Sequence, residues 1–313
     1  MKKYLRIMRL DHWIKQVFII PGFLCAIIMT GTIFNTTLCI RSVIAFIATS
    51  LIASANYVIN EWLDAAFDKF HPIKKSRSAV TEPLQGKIVL LIWIILTLTG
   101  LLLGNIINHV FFLTLSCLWL MGIIYNVKPI RTKDIPILDV LTESINNMLR
   151  LLLGWFVVSS QTIPPGSLIL GYWMLGAFLM AVKRYAEYRM INDPVIAEKY
   201  RKSFRFYSLR SLLISSVFYA MLSVLFIGIF LIKYRIELIL FMPFFIGLFC
   251  YYFYLSYEED SAVQKPEKLY HEKWLMLYCG LLIGIFSTLM IVDIPQLNVF
   301  TNNELIVIDS SGK

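Results

Sequence analysis

Apolar residues fall into nine blocks along the chain, at about 16–34, 38–60, 88–107, 109–125, 137–159, 167–186, 211–232, 238–255 and 274–292. A block of about 17 to 23 residues, wound as a helix, is long enough to cross a hydrocarbon core of about 30 Å. The pattern predicts an all-α fold: a polytopic membrane bundle of about nine transmembrane helices in a single domain, 1–292, followed by a short polar tail, 293–313. The composition agrees, being 58% hydrophobic and 16% charged, with a mean hydropathy of +0.71. Those values belong to the membrane class.

The distribution of charge adds an orientation. Of the 29 Lys and Arg residues, 24 lie in the N-terminal arm (Lys2, Lys3, Arg6, Arg9, Lys15) and in segments 61–87, 126–136, 183–210 and 256–273, which share one side of a nine-span layout. The other side has Arg41, Lys233, Arg235 and Lys313, while Arg150 sits inside a block. Cationic loops stay in the cytoplasm, so the N-terminus is expected there and the C-terminus outside. The net charge of +9 therefore describes one membrane face and needs no nucleic acid to explain it. The five cysteines (Cys25, Cys39, Cys117, Cys250, Cys279) lie in or beside apolar blocks without CxxC spacing, and read as small core residues. No cleavable signal peptide is expected, because Lys2-Lys3 leads into an interrupted, charged segment. That arm carries Ile7, Leu10, Trp13 and Ile14 at helical spacing and is expected to lie in the headgroup layer, unless Asp11 or Lys15 reaches a site.

Candidate chemistry concentrates where the second block ends. Asn60, Asp64 and Asp68 recur every four residues, so on a continuing helix they stack on one face over about 12 Å, with Glu61 beside them. His71-Pro72 is expected to stop the helix, since a residue before proline is biased away from the α region, leaving Lys74, Lys75 and Arg77 in the loop. Mg²⁺ is held by one or two carboxylates plus substrate phosphate oxygens, and Lys and Arg take the remaining phosphate charge. The combination suits a magnesium diphosphate, the plainer alternative being a solvated helix end with ordinary ion pairs.

Three further stretches share that side or point toward it. The fourth block ends in Tyr125, Lys128, Pro129 and Arg131, a short cationic loop that could equally be a topology signal. The fifth block contains Asp139, Glu143, Asn146, Asn147 and Arg150 on one helical stripe, which cannot face lipid and must face a polar cavity or bond to other helices. The sixth ends in Lys183, Arg184 and Glu187, where phosphate binding competes with a simple Lys183–Glu187 pair. The basic segment 189–210 is expected to form a cytoplasmic helix or lid over the opening.

Taken together, the NxxxDxxxD of Asn60, Asp64 and Asp68, the Tyr125-x-x-Lys128 loop with Arg131, and the nine-block layout resemble the UbiA superfamily of intramembrane prenyltransferases. His71-Pro72-Ile73-Lys74-Lys75-Ser76-Arg77, the Lys183-Arg184-Tyr185-Ala186-Glu187 end of the sixth block, the arm from Arg9 to Lys15 and Lys265-Pro266-Glu267 are most similar to the polyprenyl-phosphate (decaprenyl-phosphate) phosphoribosyltransferase branch. Glu61, Leu10 and Ser78 depart from that branch's usual residues, and the stripe with Arg150 is not part of its pattern. The resemblance implies a Mg²⁺ cofactor at a cytoplasm-facing site in a bacterial inner membrane, a diphosphate-containing donor, and a polyprenyl lipid substrate. Asp64, Asp68 and Asn60 would be catalytic, with Asp64, Asp68 and Glu61 toward the metal. Lys74, Arg77, Tyr125, Lys128 and Arg131 would hold the donor diphosphate and Lys183, Arg184 and Glu187 the acceptor phosphate. Asp139, Glu143, Asn146, Asn147 and Arg150 would line the cavity. The expected reaction moves 5-phosphoribose from phosphoribosyl diphosphate to a polyprenyl phosphate. Prenyl transfer from a prenyl diphosphate to an aromatic or lipid acceptor is the enzymatic alternative, and an anionic-lipid transporter the non-enzymatic one.

Overall fold

The structure, a computed structural model, describes residues 2–258, 263 and 266–300. Lys265 of the last resemblance segment and the tail beyond residue 300 lie outside the described residues. Among the described residues every regular element is helical. In order they are α1 (Lys2–Ile7), α2 (Ile20–Thr30), α3 (Thr36–Asp68), α4 (Ser78–Thr81), α5 (Gly86–Ile107), α6 (His109–Asn126), α7 (Leu138–Val158), α8 (Gly166–Ile191), α9 (Pro194–Tyr200), α10 (Leu209–Tyr234), α11 (Met242–Leu255) and α12 (Lys273–Leu289). Short 3-10 segments join several of them.

Local sequence explains the breaks. Pro21 has no N–H to give to Val17, so α2 begins where the 3-10 segment Leu10–Ile19 ends. Asn108 is extended, and its side chain accepts the Phe111 N–H at 2.8 Å, which separates α5 from α6 with a single residue. Asp193 caps α9 in the same way and Ser208 caps α10.

Among the described residues seven helical segments are long and apolar enough to cross a membrane: 2–30, 36–68, 86–107, 109–126, 166–191, 209–234 and 236–255. The fifth and ninth apolar blocks are helical as well, but α7 carries Asp139, Glu143 and Arg150, and α12 is 17 residues long. The outer faces are apolar, as at Leu91, Ile95, Leu98, Leu102 and Ile106 on α5 and Ile214, Val217, Met221 and Leu225 on α10. The inner face of α3 is small and weakly polar, with Ala45, Ala48, Thr49, Ser50, Ser54 and Ala55 buried. This distribution suits a lipid solvent, which offers no hydrophobic drive between helices and rewards close backbone approach.

The helix α7 is central, packing on α2, α6 and α8. Its approach to the first span is close enough to need glycine on both sides. A Cβ at Gly22 would lie 1.9 Å from the Leu151 carbonyl oxygen, and one at Gly154 would lie 2.0 Å from that of Ile19. The N-terminal arm, expected in the headgroup layer, packs against α3. Ile7 is buried with Ala55 and Val58, and the Trp13 indole N–H donates to Ser54 Oγ at 2.9 Å.

At 33 residues α3 is about 50 Å long, more than a hydrocarbon core requires, so the end bearing Asp64 and Asp68 stands beyond the apolar layer. It stops at Asp68, three residues before the expected His71-Pro72 boundary.

Gly154→Ala should lower the thermal midpoint in detergent by the equivalent of about 1–3 kcal/mol, the usual cost of overpacking. Gly280→Ala, whose added Cβ meets nothing within 4 Å, should leave it unchanged or slightly raised. Equal midpoints for the two variants would contradict the close α2–α7 crossing.

Candidate active site

The end of α3 places its three periodic residues against three different partners. The Asn60 amide donates to Asn126 Oδ1 at 2.5 Å, so the last residue of α6 is tied to α3. Asp64 accepts from Arg131 Nη2 at 3.0 Å and from the Lys133 ammonium on its other oxygen. Asp68 accepts from Arg77 Nη1 at 2.6 Å. Glu61 pairs with Arg9 at 2.7 Å and with Arg77 at 3.2 Å. Cations from the N-terminal arm, the loop after α3 and the loop after α6 thus converge on one helix end. Arg9 and Arg131 do so with left-handed backbones, φ 50° and 29°, which a non-glycine residue adopts only where its surroundings hold it.

The loop after α3 is pinned by His71, whose Nδ1 accepts the backbone N–H groups of Ile73 at 3.1 Å and Lys74 at 3.2 Å. That turn aims Lys74 at Glu187, 2.7 Å away on α8, and at the Tyr200 hydroxyl. Burial works against the Lys74 ammonium, yet Glu187 and then Tyr200 hold its pKa above the ordinary lysine value. Burial, followed by the Lys74 charge, pushes His71 down to about 3. Burial also brings Lys133 down to about 8 against the pull of Asp64.

A second cluster is built around Arg184, which is 1% exposed. Its guanidinium meets Glu143, Glu187 at 3.1 Å and Asp139 at 3.4 Å, and donates to the Tyr125 hydroxyl at 3.0 Å. Tyr125 in turn donates to Glu143 at 2.7 Å. Arg201, just past α9, reaches Asp139 and the Tyr125 hydroxyl at 3.3 Å, and Ser203 and Tyr207 complete Asp139's shell. The basic segment 189–210 is therefore folded over the site and wired into it.

Several expected roles change. Lys128 is exposed and makes no hydrogen bond or ion pair among the described residues; Lys133, two positions beyond Arg131, takes the place beside Asp64. Lys183 does not pair with Glu187, which is occupied by Lys74 and Arg184, and has Glu143 at 4.0 Å. The stripe on α7 does not line one open cavity. Asp139 and Glu143 are filled by the Arg184 cluster, whereas Asn146 and Asn147 accept from Arg150 one to two turns deeper. Arg9, Asn126, Lys133, Tyr200 and Arg201 are the residues that sequence reasoning missed. Arg9 was visible in the sequence as part of the Arg9–Lys15 arm, and the others lie in or beside the same cationic loops.

Asp64 and Asp68 line a cavity of about 20 Å³ with Phe67, Arg131, Lys133, Asp134, Tyr200 and Arg201. Among the described residues no three His, Cys, Asp or Glu side chains are grouped to hold a metal by themselves. Hard carboxylate oxygens fit Mg²⁺, and two of them leave most of its six positions to be filled by a substrate's phosphate oxygens. Three basic side chains already paired to those carboxylates, Arg77, Arg131 and Lys133, fit the charge of the same diphosphate.

Comparison with known proteins follows the same line. The UbiA prenyltransferase family model matches residues 18–289. A UbiA homologue from Archaeoglobus fulgidus bound to GPP and Mg²⁺ has a similar fold, with a TM-score of 0.67 at 18% identity over 93% of this chain and 100% of that one. A digeranylgeranylglyceryl phosphate synthase structure matches with a TM-score of 0.62, again at 18% identity, over 91% of this chain and 98% of that one. An uncharacterized protein, y4nM, of Sinorhizobium fredii is 28% identical over 154 residues, 49% of this chain, and the match spans 28% of that protein's own length.

The His71 shift has a definite sign. The folded state keeps His71 neutral above about pH 3, while the unfolded chain binds its proton below about 6.5, so stability is lost as pH falls through that window, by up to ~1.4 kcal/mol per unit. His71→Asn keeps an acceptor for the Ile73 and Lys74 N–H groups but does not titrate. Its thermal midpoint should fall less than that of the parent protein between about pH 7 and pH 5, and parallel curves would contradict the neutral, buried histidine.

Proposed function

The chain belongs to the UbiA prenyltransferase family, and from that premise we propose that it is a Mg²⁺-dependent intramembrane transferase that moves 5-phosphoribose from phosphoribosyl diphosphate to a polyprenyl phosphate. The observation that carries the reading is the mixed-charge end of α3, where Asp64 and Asp68 share a cavity with cations from separate loops. A site of both signs is what a metal diphosphate requires.

Asp64 and Asp68, supported by Asn60 and Glu61, would hold a Mg²⁺ whose chemistry is to neutralise the leaving diphosphate. Lys74, Arg77, Arg131 and Lys133 exchange their carboxylate partners for phosphate oxygens as the donor enters. Arg184, satisfied by three carboxylates, keeps Tyr125, Glu143 and Glu187 in place, and Lys183 is the cation at the end of α8 left to face an acceptor phosphate. The bond between the ribose anomeric carbon and the diphosphate oxygen breaks with its electron pair leaving on diphosphate. A bond from that carbon to an acceptor phosphate oxygen forms, through an oxocarbenium-like state. The segment 194–207, anchored by Tyr200 and Arg201, excludes water.

The phosphoribosyl reading rests on the far wall of the site. The end of α8 presents Lys183 and Arg184 around Glu187, not a second acidic cluster able to take more metal for a prenyl diphosphate. Prenyl transfer is the second reading, favoured by the fold relatives bound to GPP and to DMAPP with Mg²⁺.

Purified protein in detergent, given Mg²⁺, polyprenyl phosphate and labelled phosphoribosyl diphosphate, should yield labelled lipid. Label entering from a prenyl diphosphate and none from phosphoribosyl diphosphate would select the second reading. Asp64→Asn and Asp68→Asn should each lower turnover at least tenfold, about 1.4 kcal/mol. Lys133→Ala should raise the donor KM more than it lowers kcat, whereas Lys128→Ala should change neither.

A further inference from the structure

About 10 Å deeper along α7 than Glu143 lies a cation that the site described above does not use. Arg150 is 9% exposed and has no carboxylate within 4.0 Å among the described residues. Its Nε donates to Gln16 Oε1 at 2.9 Å, and its Nη1 to the Asn146 carbonyl at 3.2 Å and to Asn147 Oδ1 at 3.3 Å. Nη2 makes no hydrogen bond among the described residues. Every partner is neutral, so the charge is solvated but not balanced. Arg184, by contrast, has three carboxylates around it.

The second observation is on Gln16, which is 1% exposed. Because its Oε1 accepts from Arg150, the orientation of its amide is fixed, and its Nε2 is a sealed donor with no partner. Buried donors without partners are rare, since each carries the full cost of lost hydration. The amide and the guanidinium are bonded to each other, so their remaining N–H groups belong to one contact pair, and donors of these two kinds suit a tetrahedral or planar oxyanion. Both side chains are held: the close α2–α7 crossing fixes Gln16 against Arg150, and Gly176 on α8 leaves room for Asn147, whose Nδ2 would lie 2.9 Å from a Cβ there.

We propose that Arg150 and Gln16, steadied by Asn147, form a second anion site, separate from the metal diphosphate site, for a phosphate monoester carried by a substrate. The inference deepens the phosphoribosyl reading and rests on it for the identity of that substrate. Two sources share the chemistry: the 5-phosphate of the donor, which lies across the ribose from its diphosphate, and the head group of the lipid acceptor.

Full-length protein in nanodiscs, without Mg²⁺, should be titrated with ribose 5-phosphate, dodecyl phosphate and dodecanol while its thermal midpoint is followed. At least one phosphate should raise the midpoint saturably and dodecanol should not; ribose 5-phosphate identifies the donor as the source and dodecyl phosphate the acceptor. Arg150→Gln should weaken the responding phosphate at least tenfold, and Arg150→Lys less. Asp64→Asn should leave its affinity unchanged. Gln16→Met, which keeps the cation, should weaken it about threefold and carries the test if Arg150→Gln does not fold. Absence of a response to both phosphates, or equal affinity in a folded Arg150→Gln or Gln16→Met protein, overturns the site, including the case where only the midpoint of the free protein moves. Intact phosphate binding with no transfer from phosphoribosyl diphosphate would instead refute the proposed reaction and leave the anion site standing.

Discussion

Charge balance at the helix ends that carry Asp64, Glu143 and Glu187 governs this molecule. Glu61, Asp64 and Asp68 on α3, Asp139 and Glu143 on α7 and Glu187 on α8 are each matched to cations contributed by other segments. Removing one member of a buried pair strands the other at a cost of about 3–5 kcal/mol, so these pairs specify which loops meet even if they add little net stability. The arm, the loop after α3, the loop after α6 and the segment over the opening are all fixed through them. Apolar contacts that hold α5 against α3 or α10 against α8 could not specify such positions, because lipid tails compete equally for apolar faces.

The same pairing suits a site that must accept a highly charged ligand beside a membrane. A cluster of bare cations would repel itself and bind any anion, and a bare carboxylate cluster would bind any divalent metal. Interleaving the two keeps each sign occupied until a ligand of both signs, a metal with its phosphates, offers every group a stronger partner. The small cavity between Asp64 and Arg201 fits a site closed by its own ion pairs. Arg150 lies outside this balance, and that makes it informative: an intramembrane charge costs about 2.5–3.5 kcal/mol on insertion scales unless something answers it.

The sequence by itself determined the fold class and the run of helices, because span length and apolarity act locally along one helix. It also determined that Asn60, Asp64 and Asp68 share a face, since a period of four residues needs no partner to be recognised. Tertiary structure alone decided which cation answers which carboxylate. Lys128 and Lys133 are alike in the sequence, but only the path of the chain after α6 turns Lys133 inward to Asp64 and leaves Lys128 outside. The α7 stripe is one periodic pattern, yet two environments divide it. Its first turns lie beside α8 and Arg201, and its deeper turns beside the first span, where Gly22 and Gly154 let Gln16 reach Arg150. Helical periodicity reports the face a side chain occupies; what stands opposite that face is set by contacts between segments 41 to 134 residues apart.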